Sequence, residues 1–437
     1  MRCRAIDHLR AGKRTVEHVT RKIEAHAIAE LLAPGMRVYV AGGSNEPRGI
    51  IDALKAHPQA ADGVTFVQFP LPGMNTTDFT ALHPNARMQV YFLTPDLRAA
   101  FADGRAELIP MQMRLVFDHL KRGAPFDLAL VQFAGTGAHG YVPGPCVDFL
   151  EAALVNARFV VAQVNERLPH LAESPVVPRA RVDFALHSSI APPEYPAAQA
   201  DDVARAIGDH VASLVNDGAC IQTGIGAIPA AVLDALGEKN DLGVHSGLID
   251  DRVMGLTSRG VITGRRKSID RDLITTGMAL GSAELYEWLH ERAGVRFAGV
   301  DHTHEISVIR ELDDFVSINS AVEIDLYGQV SAEMVAARQL SGTGGALDFM
   351  RGARASRGGK SVIALSATAR GREVSRIVAE LPAGTALTAP RTDVDYVVTE
   401  HGIAHLYGRS LDARANALIE IAAPEFRETL RAAWRAK

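Results

Sequence analysis

The sequence predicts two related, open α/β domains, each on a mainly parallel sheet, with the active site in the cleft between them. Three observations carry this. The chain has 437 residues, too many for one ordinary core, so two domains are expected, 1–200 and 201–437. Short apolar runs alternate with helical stretches: GVTFVQF (63–69), ARMQVYFL (86–93), FDLALVQF (126–133), ARFVVAQV (157–164), KSVIALSA (360–367) and VDYVVTE (394–400). Strands of that kind between helices mark buried parallel sheets. The third observation is an internal repeat. Residues 25–54, AHAIAELLAPGMRVYVAGGSNEPRGIIDAL, and 207–236, IGDHVASLVNDGACIQTGIGAIPAAVLDAL, both run helix, turn, strand, glycine turn, proline, helix.

Within each repeat the elements have local reasons. Glycines let the strand turn sharply into the helix. Pro47 and Pro229 suit a first helical turn, where a missing N–H costs nothing. The Pro- and Ala-rich stretch 167–200 is expected to be the crossing between the halves. Ligands of open parallel sheets sit at the C-terminal ends of the strands. This puts GGSNEP (42–47) and TGIGAIP (223–229) at equivalent functional positions. Glu46 aligns with Ile228, so the turn itself does not require an acid there.

Composition removes several classes. The chain is 47% apolar and 22% charged, with net charge −5, the profile of a soluble globular protein. It has no long basic run for nucleic acid or an anionic membrane. No stretch reaches the roughly 18 apolar residues of a membrane span, and the N-terminus lacks the apolar core of a signal peptide. Cys3, Cys146 and Cys220 are far apart, which argues against a disulfide framework and fits a reducing cytoplasm.

Other motifs have plain readings beside functional ones. TGIGAIP lacks the third glycine of a dinucleotide fingerprint, so a nicotinamide cofactor is not expected. His302 and His304 in DHTHE could ligate metal, but no further ligand stands at a fixed spacing, and no metal is expected. GRRK (264–267) reads as a solvated loop, and Glu323 or Glu333 could simply pair with arginine. For Glu46 the plain reading is a carboxylate stabilised by a helix N-terminus.

Longer strings carry a resemblance: HGYVPG (139–144), GACIQTGIGAIPAAVLDAL (218–236), DLGVHSGLIDD (241–251), SINSAVEIDLYGQVSAE (317–333), GTGGALDF (342–349) and SRIVAELPAGTALTAPRTDVDYVVTEHGIA (375–404). Together they resemble the acetyl-CoA hydrolase/transferase family, and its 4-hydroxybutyrate CoA-transferase-like members in particular. The resemblance implies a CoA-transferase that moves CoA between an acyl-CoA and a short carboxylic acid. A glutamate forms first an anhydride and then a glutamyl-CoA thioester, in ping-pong fashion. It implies backbone oxyanion donors at Ile225 and Gly345, and CoA held near Gly224, Gly226, Gly342, Gly344 and Lys360, with Arg351 also near its phosphates. CoA is then a substrate, with no permanently bound cofactor. A cytoplasmic homodimer or homotetramer is expected.

The chain departs from the resemblance at two places. The family's nucleophilic Glu follows G-hydrophobic-H-S/T, and here that position is Gly247. Where the family tends to have Asn, His304 stands. Glu46 is therefore the candidate nucleophile, with Gly247 making space and His304 polarising or orienting the acyl group. Glu323 and Glu400 are alternative acids. Arg48, or Arg391, in the acyl pocket would favour a dicarboxylate such as succinate or itaconate over acetate or butyrate. A hydrolase in which a glutamate activates water, and a non-catalytic acyl-CoA-binding protein, are the alternative readings.

Overall fold

The computed structural model describes residues 19–369, 371 and 373–437. Cys3 and the rest of the opening stretch lie outside the described residues. The chain divides into two compact units. The first takes the described residues up to Met111, then Leu115–Tyr195 and Gly277–Val300. The second takes Gln112–Arg114, Pro196–Thr276 and everything from Asp301 on.

The first unit is built on a nine-stranded sheet. Its strands lie in the order Arg21–Lys22, Phe184–Ser188, Ala157–Asn165, Phe126–Gly137, Arg37–Val40, Thr65–Gln68, Arg87–Val90 and Ala106–Leu108, with Gly140–Pro143 folded back on Phe126–Gly137. The ladder is parallel from end to end, and the Gly140–Pro143 pairing is antiparallel. Parallel strands covered on both faces need apolar side chains on both, which explains runs such as LALV. The helix Arg48–Ala56 buries Ile50, Ile51 and Leu54 in the core formed by Val38, Val40, Phe66 and Leu130.

The stretch 167–200 is not merely a connection. Phe184–Ser188 is an inner strand beside Ala157–Asn165. Prolines on both sides hide its short apolar signal in the sequence; the irregular part is 189–201.

In the second unit the sheet includes, side by side, Gly243–Ile249, Cys220–Thr223, Phe315–Ser320, Lys360–Ala364, Tyr396–Thr399 and Gly402–His405. All neighbours in that series run parallel except the last pair. Its core includes Phe315, Phe349 and Ile309 and, further along, Ile363, Val397 and Leu418.

The repeat is real at the level of elements. Arg37–Val40 and Cys220–Thr223 each have parallel neighbours on both sides. Each ends in a glycine turn that leads to a nine-residue helix, Arg48–Ala56 or Ala227–Ala235. The prolines differ in detail. Pro229 is inside the first turn of its helix, whereas Pro47 occupies the capping position just before Arg48.

Candidate active site

In the first unit the strand Arg37–Val40 gives way to GGSNE, and each residue of that turn is fixed. A Cβ at Gly42 would lie 2.2 Å from the Phe69 carbonyl oxygen, so only glycine fits. Gly43 has φ +60°. Its N–H donates to Asn75 Oδ1 (2.8 Å), and its carbonyl accepts from Asn75 Nδ2 (3.1 Å). Ser44 Oγ donates to the Pro145 carbonyl (2.9 Å), and Asn45 Nδ2 donates to the carbonyls of Gln132 (2.9 Å) and Cys146 (3.2 Å).

Gly43→Ala is expected to lose about 2–4 kcal/mol, since a left-handed residue gains a Cβ and the core is overfilled. That Cβ would stand 2.5 Å from Met278 Sδ and 3.1 Å from Cys146 Sγ. Urea unfolding checks this; an unchanged midpoint would refute it.

Glu46 follows this brace and is 5% exposed. Its Oε1 accepts from Gln68 Nε2 at 3.0 Å, and its carbonyl accepts from Gln132 Nε2 at 3.1 Å. Burial raises its pKa; the Gln68 hydrogen bond, then the Arg48 charge and Asn75, pull it back. The carboxylate is thus held by a glutamine at the end of the neighbouring strand. It precedes the helix by two residues, and among the described residues its carboxylate takes its hydrogen bond from Gln68 rather than from the helix N-terminus of the plain reading. Nothing in the sequence singled out Gln68, Asn75 or Gln132.

Behind the turn lies a second buried acid. Asp148 Oδ2 takes the Cys146 thiol at 3.7 Å, and its Oδ1 has no hydrogen-bond partner among the described residues. Burial pushes its pKa from 3.8 up to about 7. The native state therefore keeps a proton that the unfolded chain releases between those values. Its contribution to stability is full below about pH 4 and is lost as pH rises through 7, a fall of about 4 kcal/mol at most. Asp148→Asn is expected to remove that fall, so the variant gains on the wild type at pH 8. Denaturant midpoints measured from pH 5 to 8 that stay parallel for the two proteins would refute it.

In the second unit the turn Gly224–Gly226 heads the helix Ala227–Ala235. Gly226 has φ +114°, and a Cβ at either glycine would meet open space. Among the described residues the N–H groups of Ile225 and Gly345 donate to no backbone carbonyl. Gly344 (φ +64°) turns the chain into the helix Ala346–Ala355, which Gly345 caps. Gly342 precedes Thr343, whose Oγ1 reaches Glu333 Oε2 at 3.5 Å.

Gly247 is in the strand Gly243–Ile249, and the space expected there is filled. A Cβ at 247 would lie 2.9 Å from His304 Cε1 and 3.1 Å from Nε2; one at Gly345 would lie 2.5 Å from Nε2. The His304 ring is buried, 4.4 Å from the Phe349 ring centre, with Nδ1 2.9 Å from Thr303 Oγ1. Burial pushes its pKa down to about 3, so the imidazole is neutral at working pH. Gly247, His304 and Gly345 therefore meet at one point.

Most of the other residues named from the sequence have partners of their own. Lys360 begins its strand, away from the C-terminal ends that carry the glycine turns, and its Nζ donates to the Leu214 carbonyl at 2.6 Å. That interaction closes the end of the helix Asp202–Leu214. Lys267 of GRRK is buried rather than solvated. Arg351 pairs with Asp393 (2.9 Å), and Arg391 stands over the Tyr327 ring (5.9 Å). Among the alternative acids, Glu400 accepts the Ala367 N–H (2.8 Å). Glu333 accepts from Thr388 and Gln339. Glu323 has a buried Oε2 without a hydrogen-bond partner among the described residues; burial raises its pKa against the Arg376 charge.

Comparison with known proteins gives this geometry a family. Profiles of the acetyl-CoA hydrolase/transferase N-terminal and C-terminal domains match residues 9–188 and 281–434. The chain is 37% identical to 4-hydroxybutyrate coenzyme A transferase of Clostridium kluyveri, over 95% of both chains. It is 35% identical to succinyl-CoA:cyclohexane-1-carboxylate CoA transferase of Geobacter metallireducens, over 89% of both. The crystal structure of RipA from Yersinia pestis superposes with TM-score 0.88 at 29% identity, covering 95% of this chain and 97% of that one. Matching profiles at both ends and relatives of similar length place this chain in the acetyl-CoA hydrolase/transferase family.

Proposed function

We propose that the chain transfers CoA between an acyl-CoA and a short carboxylic acid, with Glu46 as the nucleophile. The observation that carries the choice of residue is the brace around Glu46: a buried carboxylate just past a strand's glycine turn, with its Oε1 held by Gln68; the resemblance adds that the family's own nucleophile is expected at 247, where this chain has Gly. An oxygen of Glu46 attacks the thioester carbonyl. The C–S bond breaks, leaving a mixed anhydride and CoA thiolate. The thiolate attacks the Glu46 carbonyl carbon, releases the first acid and leaves a glutamyl-CoA thioester. The acceptor carboxylate then runs both steps in reverse and regenerates Glu46.

Each step passes through an oxyanion, which the N–H groups of Ile225 and Gly345 would stabilise. His304, being neutral, can polarise an acyl oxygen only as a hydrogen-bond donor. CoA would follow the turns at Gly224, Gly226, Gly342 and Gly344. The relatives' names cover both mono- and dicarboxylic acyl groups. Arg48, whose charge reaches Glu46, is the residue here that would favour a dicarboxylate. The free Cys146 and Cys220 accord with a reducing cytoplasm, and a homodimer or homotetramer completes the proposal by analogy with the family.

The test is the intact mass after mixing with butyryl-CoA or succinyl-CoA, followed by peptide mapping. A gain equal to bound CoA on the Glu46 peptide is expected. A gain on a Glu323 or Glu400 peptide would keep the activity and move the nucleophile. Free CoA accumulating without an adduct or an acceptor acid would make the protein a hydrolase.

A further inference from the structure

A cluster outside this site brings together three side chains from separate segments of the second unit. His245 lies on the strand Gly243–Ile249. Asp270 precedes the strand that begins at Ile274, and His302 stands two residues before His304. One ligand-capable atom from each lies within 4.8 Å of the other two. His302 Nε2 is 2.8 Å from Asp270 Oδ2, a spacing that two ligands each about 2 Å from one ion can share.

The second observation is His245 itself, which is fully buried. Its Nε2 faces the Thr303 carbonyl oxygen at 3.0 Å. A carbonyl only accepts, so Nε2 carries the proton and Nδ1 keeps its lone pair. That Nδ1 is buried with no hydrogen-bond partner among the described residues. A buried acceptor of this kind calls for an occupant.

A supporting layer is present as well. Thr275 Oγ1 donates to Asp270 Oδ2 (3.1 Å). Lys267 Nζ donates to Thr275 Oγ1 (3.0 Å) and to the carbonyls of Val244 (3.1 Å) and Leu273 (2.8 Å). Such contacts orient a ligating carboxylate. The Lys267 charge repels a cation and limits how tightly the site holds one.

We infer that His245 Nδ1, Asp270 and His302 form a site for a divalent borderline metal ion of the zinc class, with one coordination position open. Two imidazoles and a carboxylate suit such an ion better than magnesium or calcium. The HxH motif pairs His302 with the wrong partner: the fold sends His304 to Gly247 and Gly345, and His302 to Asp270. An ion here would tie the strand bearing Gly247 to the segment that carries His304.

The experiment takes the full chain, strips it with chelator, and titrates Zn²⁺ while metal content and thermal unfolding are followed. Co²⁺ replaces zinc for visible absorption. Stoichiometric retention after gel filtration, a zinc-dependent rise in unfolding temperature and cobalt ligand-field bands are expected. His302→Ala, at a partly exposed position, should weaken retention roughly tenfold or more, and Asp270→Asn similarly. Equal metal content and an equal zinc response in wild type and His302→Ala would overturn the site, and a water would then satisfy Nδ1. None of these readouts depends on CoA transfer.

Discussion

Glu46→Gln is expected to abolish CoA exchange, by roughly a thousandfold or more in kcat, while leaving the protein folded. The substitution keeps the side chain's size and an acceptor oxygen for Gln68 Nε2. It removes a charge whose burial is unfavourable, so the unfolding temperature should hold or rise. An amide cannot form the anhydride, so no glutamyl-CoA adduct should appear with any acyl-CoA. Glu323→Gln and Glu400→Gln are the controls and should keep most of the exchange rate. If Glu46→Gln retains exchange and one of the controls loses it, the nucleophile is the other acid. Exchange that survives in all three variants would rule out all three candidates.

The second large effect comes from the contact between Gly247 and His304. Gly247 is in a regular strand and outside the left-handed region, so its backbone tolerates a side chain and the obstacle is the ring at 304. Gly247→Glu alone is expected to lose about 1–3 kcal/mol through overpacking. His304→Asn removes the ring, so the double variant should recover most of that loss. The two substitutions should therefore couple by about 1–3 kcal/mol in a denaturation cycle. The double variant would also carry a carboxylate where the resemblance places the family's nucleophile, and in the Glu46→Gln background it should restore measurable exchange. Additive stabilities would show that the ring and position 247 do not compete for space. Recovered stability without exchange would show that the nucleophile's place cannot be moved back.

Much of the fold was legible because parallel sheets leave a simple trace: short apolar strands, glycine turns at their ends, and helices between. All six strand runs named from the sequence lie on or overlap strands of the two sheets. The inner strand Phe184–Ser188 was not legible, because proline-rich flanks dominate its neighbourhood. The site was only partly readable. Glu46 stood out by failing to match its counterpart Ile228, but Gln68 and Asn75 are ordinary residues until the strands are laid side by side. Lys360 stands at the start of KSVIALSA, the end of its strand opposite to the glycine turns, a position already visible in the sequence. The filling of the space at Gly247 could not be read at all, since it depends on a side chain from a distant segment. The same holds for His245, Asp270 and His302, which no spacing rule joins.

The return of the chain to the first unit at Gly277 has a consequence for biosynthesis. Pro145, Cys146 and Val147 flank the turn that carries Glu46. They are themselves held by residues 277–279: the Val147 N–H donates to the Gly277 carbonyl, and the Ala279 N–H to that of Pro145. A nascent chain emerging from the ribosome therefore cannot finish this wall of the turn until well over half of it has been translated. Ribosome-bound chains that stop before 277 should stay open to protease around 144–148, and chains long enough to bring 277–300 out of the exit tunnel should close there.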